Sequence, residues 1–308
     1  MSVEDIINKY SYNEEIANYL RIAYPYFIEE FKDETIVYEA LMNTPICLTS
    51  DNIYNYLVEH GFINGEDNEM VSYNDLKGSM GVYFSDPIIE YNNDLNEYAI
   101  KGVNRIVVVS CYNLLADYTK STLTHEICHA IKSYNNEFTI ENDNLIEKSG
   151  LVNKKYELSN SDKVNKTWNR ETGVGLEEGL NALAEESIMS KITQKNYETK
   201  GYQASKELIK TVLNKYGIPD IENIFKEAEL YHDNTRIDEI LGQTYYDLSD
   251  FADKLYKLNV AMINMANTDE KRKEAANKAN ELIENEYAQI DINLKAIGQR
   301  SIKIRKGK

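Results

Sequence analysis

Three side chains within five residues have the types and spacing to do chemistry: His125, Glu126 and His129, in the run His125-Glu126-Ile127-Cys128-His129. Four positions make about one helical turn, so both imidazoles would leave the same face and could reach one metal ion. Glu126, beside the first imidazole, would then stand next to a water on that ion and could take its proton. The chain holds 4 His in 308 residues against 51 Asp plus Glu. Random placement of these would give roughly 0.009 such patterns, so chance explains the run poorly. Zinc is the ion expected, one per chain, held by three protein ligands with a fourth position open to water.

The third ligand has to come from elsewhere. No histidine follows at the H-E-x-x-H-x-x-G-x-x-H spacing, and Lys132 stands where that pattern has glycine. His232 is the only downstream histidine. The stronger candidate is a carboxylate in Gly173-Val174-Gly175-Leu176-Glu177-Glu178-Gly179-Leu180-Asn181-Ala182-Leu183-Ala184-Glu185-Glu186. On a helix, Leu176, Leu180 and Leu183 form an apolar stripe with Glu178 roughly opposite and Glu177 nearer its edge. Glu185 and Asn181 are candidates to accept a hydrogen bond from a ligating imidazole and so fix its tautomer.

The motif residues need a helix. Leu123, Ile127, Ala130, Ile131 and Tyr134 recur at helical spacing, with His125 and His129 nearly opposite them. Ser121 and Thr124 are candidate N-caps. Cys128 is read as a small core residue.

His125, Glu126 and His129, followed by Leu176-Glu177-Glu178-Gly179-Leu180, resemble the gluzincin branch of the zincin metallopeptidases. The resemblance covers roughly residues 121–134 and 173–190. It implies Glu178 as the third zinc ligand and a sheet beside the active-site helix. Departures are specific. The interval from His129 to Glu178 is longer than in thermolysin-like enzymes or M1-type aminopeptidases. Where thermolysin-like enzymes carry an aspartate four residues after the ligand, this chain has Ala182. The aminopeptidase run G-x-M-E-N corresponds to Gly78-Ser79-Met80-Gly81-Val82, which lacks the acid, so an endopeptidase is expected.

In that chemistry, zinc lowers the pKa of its water towards neutrality, and Glu126 takes the proton and passes it to the leaving amine. A Tyr or His donor then stabilises the oxyanion. Among 24 Tyr the sequence singles out none; Tyr231 and His232, adjacent and beyond the third ligand, are the choice made from chain order.

Composition narrows the partners. With 34 basic and 51 acidic residues the net charge is −17, which disfavours nucleic acid and favours the approach of basic or neutral substrates; the metallopeptidase resemblance implies a peptide or protein substrate. Cys47, Cys111 and Cys128 have no paired spacing and fit a reducing compartment. The opening residues show no signal peptide and no segment reads as membrane-spanning, so cytoplasmic residence is the expectation, with leaderless export as the alternative. The abundance of Asn, Ile, Lys and Tyr fits the codon bias of an AT-rich bacterial genome.

The expected fold class is α+β, mainly helical and zincin-like. A small mixed sheet would occupy an N-terminal lobe (1–120), followed by a helical zinc-binding lobe (121–266), then a charged helix and basic tail (267–308). Helix is expected over 3–31, interrupted near Pro25, and over 50–60, capped by Asp51 and ended by Gly61. Strands are expected at 81–85, at 98–100 with a turn through Gly102, and at 105–110, the last buried on both faces. Residues 135–172, polar and weakly periodic, read as a long connection with short helical pieces, anchored by Trp168. Helices follow at 203–216, at 221–232 capped by Asp220, at 235–242 and at 245–265. A last helix, capped by Asn267 or Thr268, is expected to stop at Gly298 before a disordered tail. Two non-enzymatic readings compete. One is a zincin-like regulatory or partner-binding protein with little turnover, and the other is a metal-free helical interaction protein.

Overall fold

The computed structural model describes residues 2–63, 76, 79–111, 113–160, 164–264 and 269–306. The architecture is mixed α and β, mainly helical with two small sheets. The chain divides into two units. The first comprises 1–148, 154–170 and 184–198, and the second 149–153, 171–183 and 199–308. Three strands and one helix run through both units.

The first unit opens with α1 (Val3–Lys9), α2 (Glu14–Phe31) and α3 (Glu34–Asn43). Ser2, Asn13 and Asp33 cap them, their side-chain oxygens accepting backbone N–H groups of the first turns. Pro25 lies inside α2 and does not end it. Burial of Leu20, Ala23, Tyr24 and Phe27 on that helix outweighs the missing backbone bond. Then come β1 (Ile46–Thr49) and α4 (Ile53–Glu59). Asn52, and not Asp51, caps α4, while Gly61 follows it at φ 72°.

The first sheet has the order β1-β3-β2, formed with β2 (Gly81–Asn92) and β3 (Glu97–Ser110). β1 runs parallel to β3 and β2 antiparallel, so among the described residues β2 is an edge strand. The separate strand expected at 98–100 belongs to β3. Gly102 pairs with Ile88 inside the ladder, and the register shifts between Ile88 and Ile89, as at a bulge. Ile106, Val107, Val108 and Val109 are all buried, so the β-branched run is covered on both faces. Phe84, Ile106 and Val108 pack with Ile53 and Leu57 on the α4 face. Val107 and Val109 point to the other face, against which α5 (Asp117–Lys132) packs.

Where a helical connection was expected over 135–172, the described residues hold four strands. They form the second sheet, ordered β4 (Glu137–Glu141), β5 (Asn144–Ser149), β6 (Val152–Asn160) and β7 (Val164–Thr172). Asn142 and Asp143 both take positive φ and close the β4–β5 hairpin, the conformation that such turns demand. Leu145, Tyr156 and Leu158 are its core, with Phe138 and Ile140 packed beside them and Ile89, Tyr98 and Ile100 from the β2–β3 hairpin. The side chain of Trp168, within β7, lies outside the described residues.

The second unit is helical. α6 (Val174–Thr193) contributes its first half here and its second half to the first unit. There follow α7 (Gln203–Lys215), α8 (Ile221–Tyr231), α9 (Thr235–Leu241), α10 (Gln243–Asn264), α11 (Asp269–Leu282) and, after a π turn at Ile283–Tyr287, α12 (Ala288–Lys306). Its core joins Leu176 and Leu180 to Ile209, Phe225, Leu248, Phe251 and Leu294. Asp220 precedes α8 in the left-handed region and makes no side-chain cap bond. Asn267 and Thr268 lie outside the described residues. The last helix continues through Gly298, where a Cβ would stand 1.9 Å from the Tyr216 carbonyl oxygen. Glycine there serves close packing, and Lys303 to Lys306 are helical.

Candidate metal centre

α5 carries His125, Glu126 and His129. It begins at Asp117, earlier than the hydroxyl spacing suggests, after Ala116, which makes no side-chain cap bond. Ser121 and Thr124 therefore sit inside the helix and do other work. Leu123, Ile127, Ala130 and Ile131 are buried, as is Cys128, while Tyr134 lies past the helix end. The Tyr134 carbonyl accepts from Arg105 Nη2 at 3.0 Å, a cation at the negative end of α5.

The imidazoles of His125 and His129 converge, with their Nε2 atoms 3.2 Å apart and their rings 76° from coplanar. His125 Nδ1 donates to Glu185 Oε2 at 3.0 Å, and both side chains are buried. With that proton on Nδ1, neutral His125 presents a lone pair at Nε2. The second Glu185 oxygen accepts from Ser121 Oγ. Thr124 Oγ1 sits between Tyr19 Oη and the Lys120 carbonyl.

Glu185 and Glu178 are seven residues apart on α6, two turns along one face. His125, His129 and Glu178 each offer a ligand atom, and these lie within 4.8 Å of one another. Two nitrogens at about 2.0–2.1 Å from a tetrahedral zinc would be about 3.3 Å apart. The observed 3.2 Å between the two Nε2 atoms fits that donor set. Glu177 does not join it: its Oε2 accepts from Leu151 N at 3.0 Å in the β5–β6 turn. Asn181 is fully buried. α6 is buried on more than one face, since Glu177, Asn181 and Glu185 are covered as well as Leu176 and Leu180. The helix begins where the Asp253 carboxylate accepts from Gly173 N and Gly175 N, each at 2.8 Å.

Glu126 is in contact with the start of β2. A Cβ on Gly81 would lie 2.6 Å from Thr122 Cγ2, 2.8 Å from Glu126 Cγ and 2.9 Å from Glu126 Oε1. Only glycine lets the edge strand approach this closely.

The pair read from chain order, Tyr231 and His232, stands at the end of α8. His232 ends α8 in the left-handed region, and its Nδ1 accepts from Gly150 N at 2.9 Å, so it braces the same turn as Glu177. Tyr231 is half exposed. Neither belongs to the three-ligand cluster. Tyr256, on α10, was not singled out by any sequence feature. Burial first, and then the charges of Glu178, Glu171 and Asp253, hold its phenol well above the ordinary tyrosine range. Nothing in its local sequence marks it, because the neighbourhood of Glu178 is a tertiary fact.

No helix among the described residues is long and apolar enough to cross a membrane. Comparison with protein-family models, with curated proteins and with solved structures gives no match.

Proposed function

We propose that this protein is a zinc-dependent endopeptidase. The observation that carries the reading is the convergence of His125, His129 and Glu178 within 4.8 Å, with Glu126 on the same turn as the two imidazoles. Zinc held there would polarise the scissile carbonyl and make water nucleophilic near neutral pH. Glu126 accepts the proton lost by the attacking water and delivers it to the leaving nitrogen. Glu185 keeps His125 in the tautomer that ligation needs, and Ser121 holds Glu185. Tyr231 and His232 are the proposed donors to the developing oxyanion.

The substrate is an extended peptide. β2 is an edge strand whose first residue touches Glu126, so a peptide added to that edge would bring its backbone to the proton acceptor. Gly81 stands where an aminopeptidase would place its anchoring acid, which favours cleavage within a chain.

The test is metal content of the purified protein together with cleavage of a mixed peptide library. One zinc per chain, lost in Glu178→Ala, and cleavage abolished in Glu126→Gln with zinc retained, is the expected result. Wild type that binds no zinc, or binds it and cuts no peptide, overturns the reading.

A further inference from the structure

We propose that Glu177 is the positioning residue for the metal ligand beside it: its bond to the Gly150–Leu151 turn fixes the rotation of α6 that aims Glu178 at His125 and His129. This inference rests on the metal site of the reading above and not on its hydrolytic step.

A carboxylate on the side of a helix is placed by the rotation of that helix. Side chains reach about 5–6 Å from a helix axis, so a rotation of about 10° carries a carboxylate oxygen about 1 Å. A metal–ligand distance tolerates only about 0.2 Å. Whatever holds the first turns of α6 therefore decides whether Glu178 meets the two imidazoles.

Those turns are gripped on three sides, all by residues of the second unit. At about 100° per residue, Gly175 and Gly179 share one side, Leu176 and Leu180 a second, and Glu177 a third, roughly opposite the glycines. Glu178 falls between Glu177 and the glycines, on the side left for the metal. Gly175 packs on the Ala252 carbonyl of α10, and a Cβ on Gly179 would stand 2.7 Å from the Ser205 carbonyl oxygen of α7. Leu176 and Leu180 lie in the core. Opposite the glycines, buried Glu177 accepts from Leu151 N at 3.0 Å. Close packing sets how near the neighbours come; the hydrogen bond, which is directional, sets the rotation.

The turn is shaped for this bond. Gly150 takes φ 61°, and a Cβ there would overlap Glu177 Oε2, so glycine serves both the conformation and the approach. Gly150 N donates to His232 Nδ1 at 2.9 Å, which ties the turn to the end of α8. The Leu151 carbonyl oxygen lies against Gly173, where a Cβ would overlap it, so the turn meets α6 at its start as well. Burying a carboxylate is costly, and an apolar side chain could fill the same space. What the carboxylate adds is a strong bond of fixed direction to a backbone N–H.

The experiment measures zinc affinity by chelator competition, and the visible spectrum of cobalt-loaded protein, in wild type, Glu177→Ala, Glu177→Gln and Gly298→Ala. Glu177→Ala is expected to weaken zinc binding about 10–100-fold, the range for residues that orient a ligand, and to shift the cobalt spectrum. Glu177→Gln keeps a carbonyl oxygen for Leu151 N and should recover most of that loss. Gly298→Ala strains another contact of the same unit and should leave affinity and spectrum as in wild type. The proposal is overturned if Glu177→Ala binds zinc as wild type does. It is overturned equally if Glu177→Gln loses as much as Glu177→Ala, because charge and not the bond then governs the metal. A matching loss in Gly298→Ala also overturns it, because stability alone then explains the effect. Protein that shows the expected series but cuts no peptide sinks the hydrolytic reading and leaves this one standing. Wild type that binds no zinc overturns both.

Discussion

Gly81 and Glu126 are 45 positions apart in the chain, yet a single methyl group added to Gly81 would stand 2.9 Å from the Glu126 carboxylate oxygen and 2.8 Å from its Cγ. The proton acceptor of the proposed reaction is thus positioned from two sides: by its own helix, and by an edge strand that approaches as only glycine can.

Gly81→Ala should therefore displace the Glu126 carboxylate while leaving the three ligand side chains in place. The expected outcome is a loss of about 10²-fold or more in kcat, the contribution usual for a positioned acid–base group. Zinc stoichiometry, measured on the same sample, should stay at one per chain. Loss of metal together with activity would show that Gly81 supports the fold of the site and not Glu126 alone.

The His125–Glu185 hydrogen bond predicts a different signature. Glu185→Gln keeps the shape but removes the charge that favours a proton on Nδ1. Zinc affinity, read by competition with a chelator, should fall about 10–100-fold. Ser121→Ala, which frees the other Glu185 oxygen, should weaken affinity in the same direction and by less.

Acid sensitivity should arise partly in the second unit. Asp291 accepts from Lys215 Nζ and Tyr216 Oη, each at 2.7 Å, and from Lys295 Nζ at 2.5 Å. The bonds from Lys215 and Lys295 hold its carboxyl well below the usual carboxylate range. A depressed folded-state pKa means that the unfolded chain takes up the proton first. Its stabilisation is thus complete above the ordinary aspartate pKa of about 3.9 and drains away as pH falls below it. Urea unfolding at pH 7 should show Asp291→Asn less stable than wild type, with the gap narrowing as pH drops below about 4. A gap that widens with acid would contradict the assignment.

Gly298→Ala tests the packing of α12. Helix propensity alone would favour alanine by about 0.8–1.0 kcal/mol. The added Cβ, however, meets the Tyr216 carbonyl oxygen at 1.9 Å, backbone that cannot swing aside. Overpacking of this kind costs about 1–3 kcal/mol, so a lower thermal midpoint is expected. A raised midpoint would mean that the two helices separate easily.

The strong local signals were legible in the sequence. The motif helix, the β-branched strand at 105–110 and the helices after residue 200 each carry a period or a stop that short-range stereochemistry imposes. The ligand spacing within α5 is of this kind, since four residues on a helix fix two imidazoles whatever surrounds them. The second sheet escaped because its exposed positions are Asn, Lys and Glu, which dilute a period-2 pattern, and because its Asn142-Asp143 turn has no glycine to mark it. Gly298 was misread for the opposite reason: glycine ends helices by conformation, but here it serves a contact with Tyr216, 82 positions away.

For the site, the sequence by itself determined which side chains could ligate and which carboxylate stood beside them. Tertiary structure alone decided that Glu178 and not Glu177 joins the imidazoles, since Glu177 is engaged by Leu151 N. It likewise gave His232 to the Gly150 turn and set Gly81 against Glu126. Each of these is a contact between residues 26 to 82 positions apart. Helical and strand periods decide which face a residue takes; only the packing of one element on another decides what that face meets.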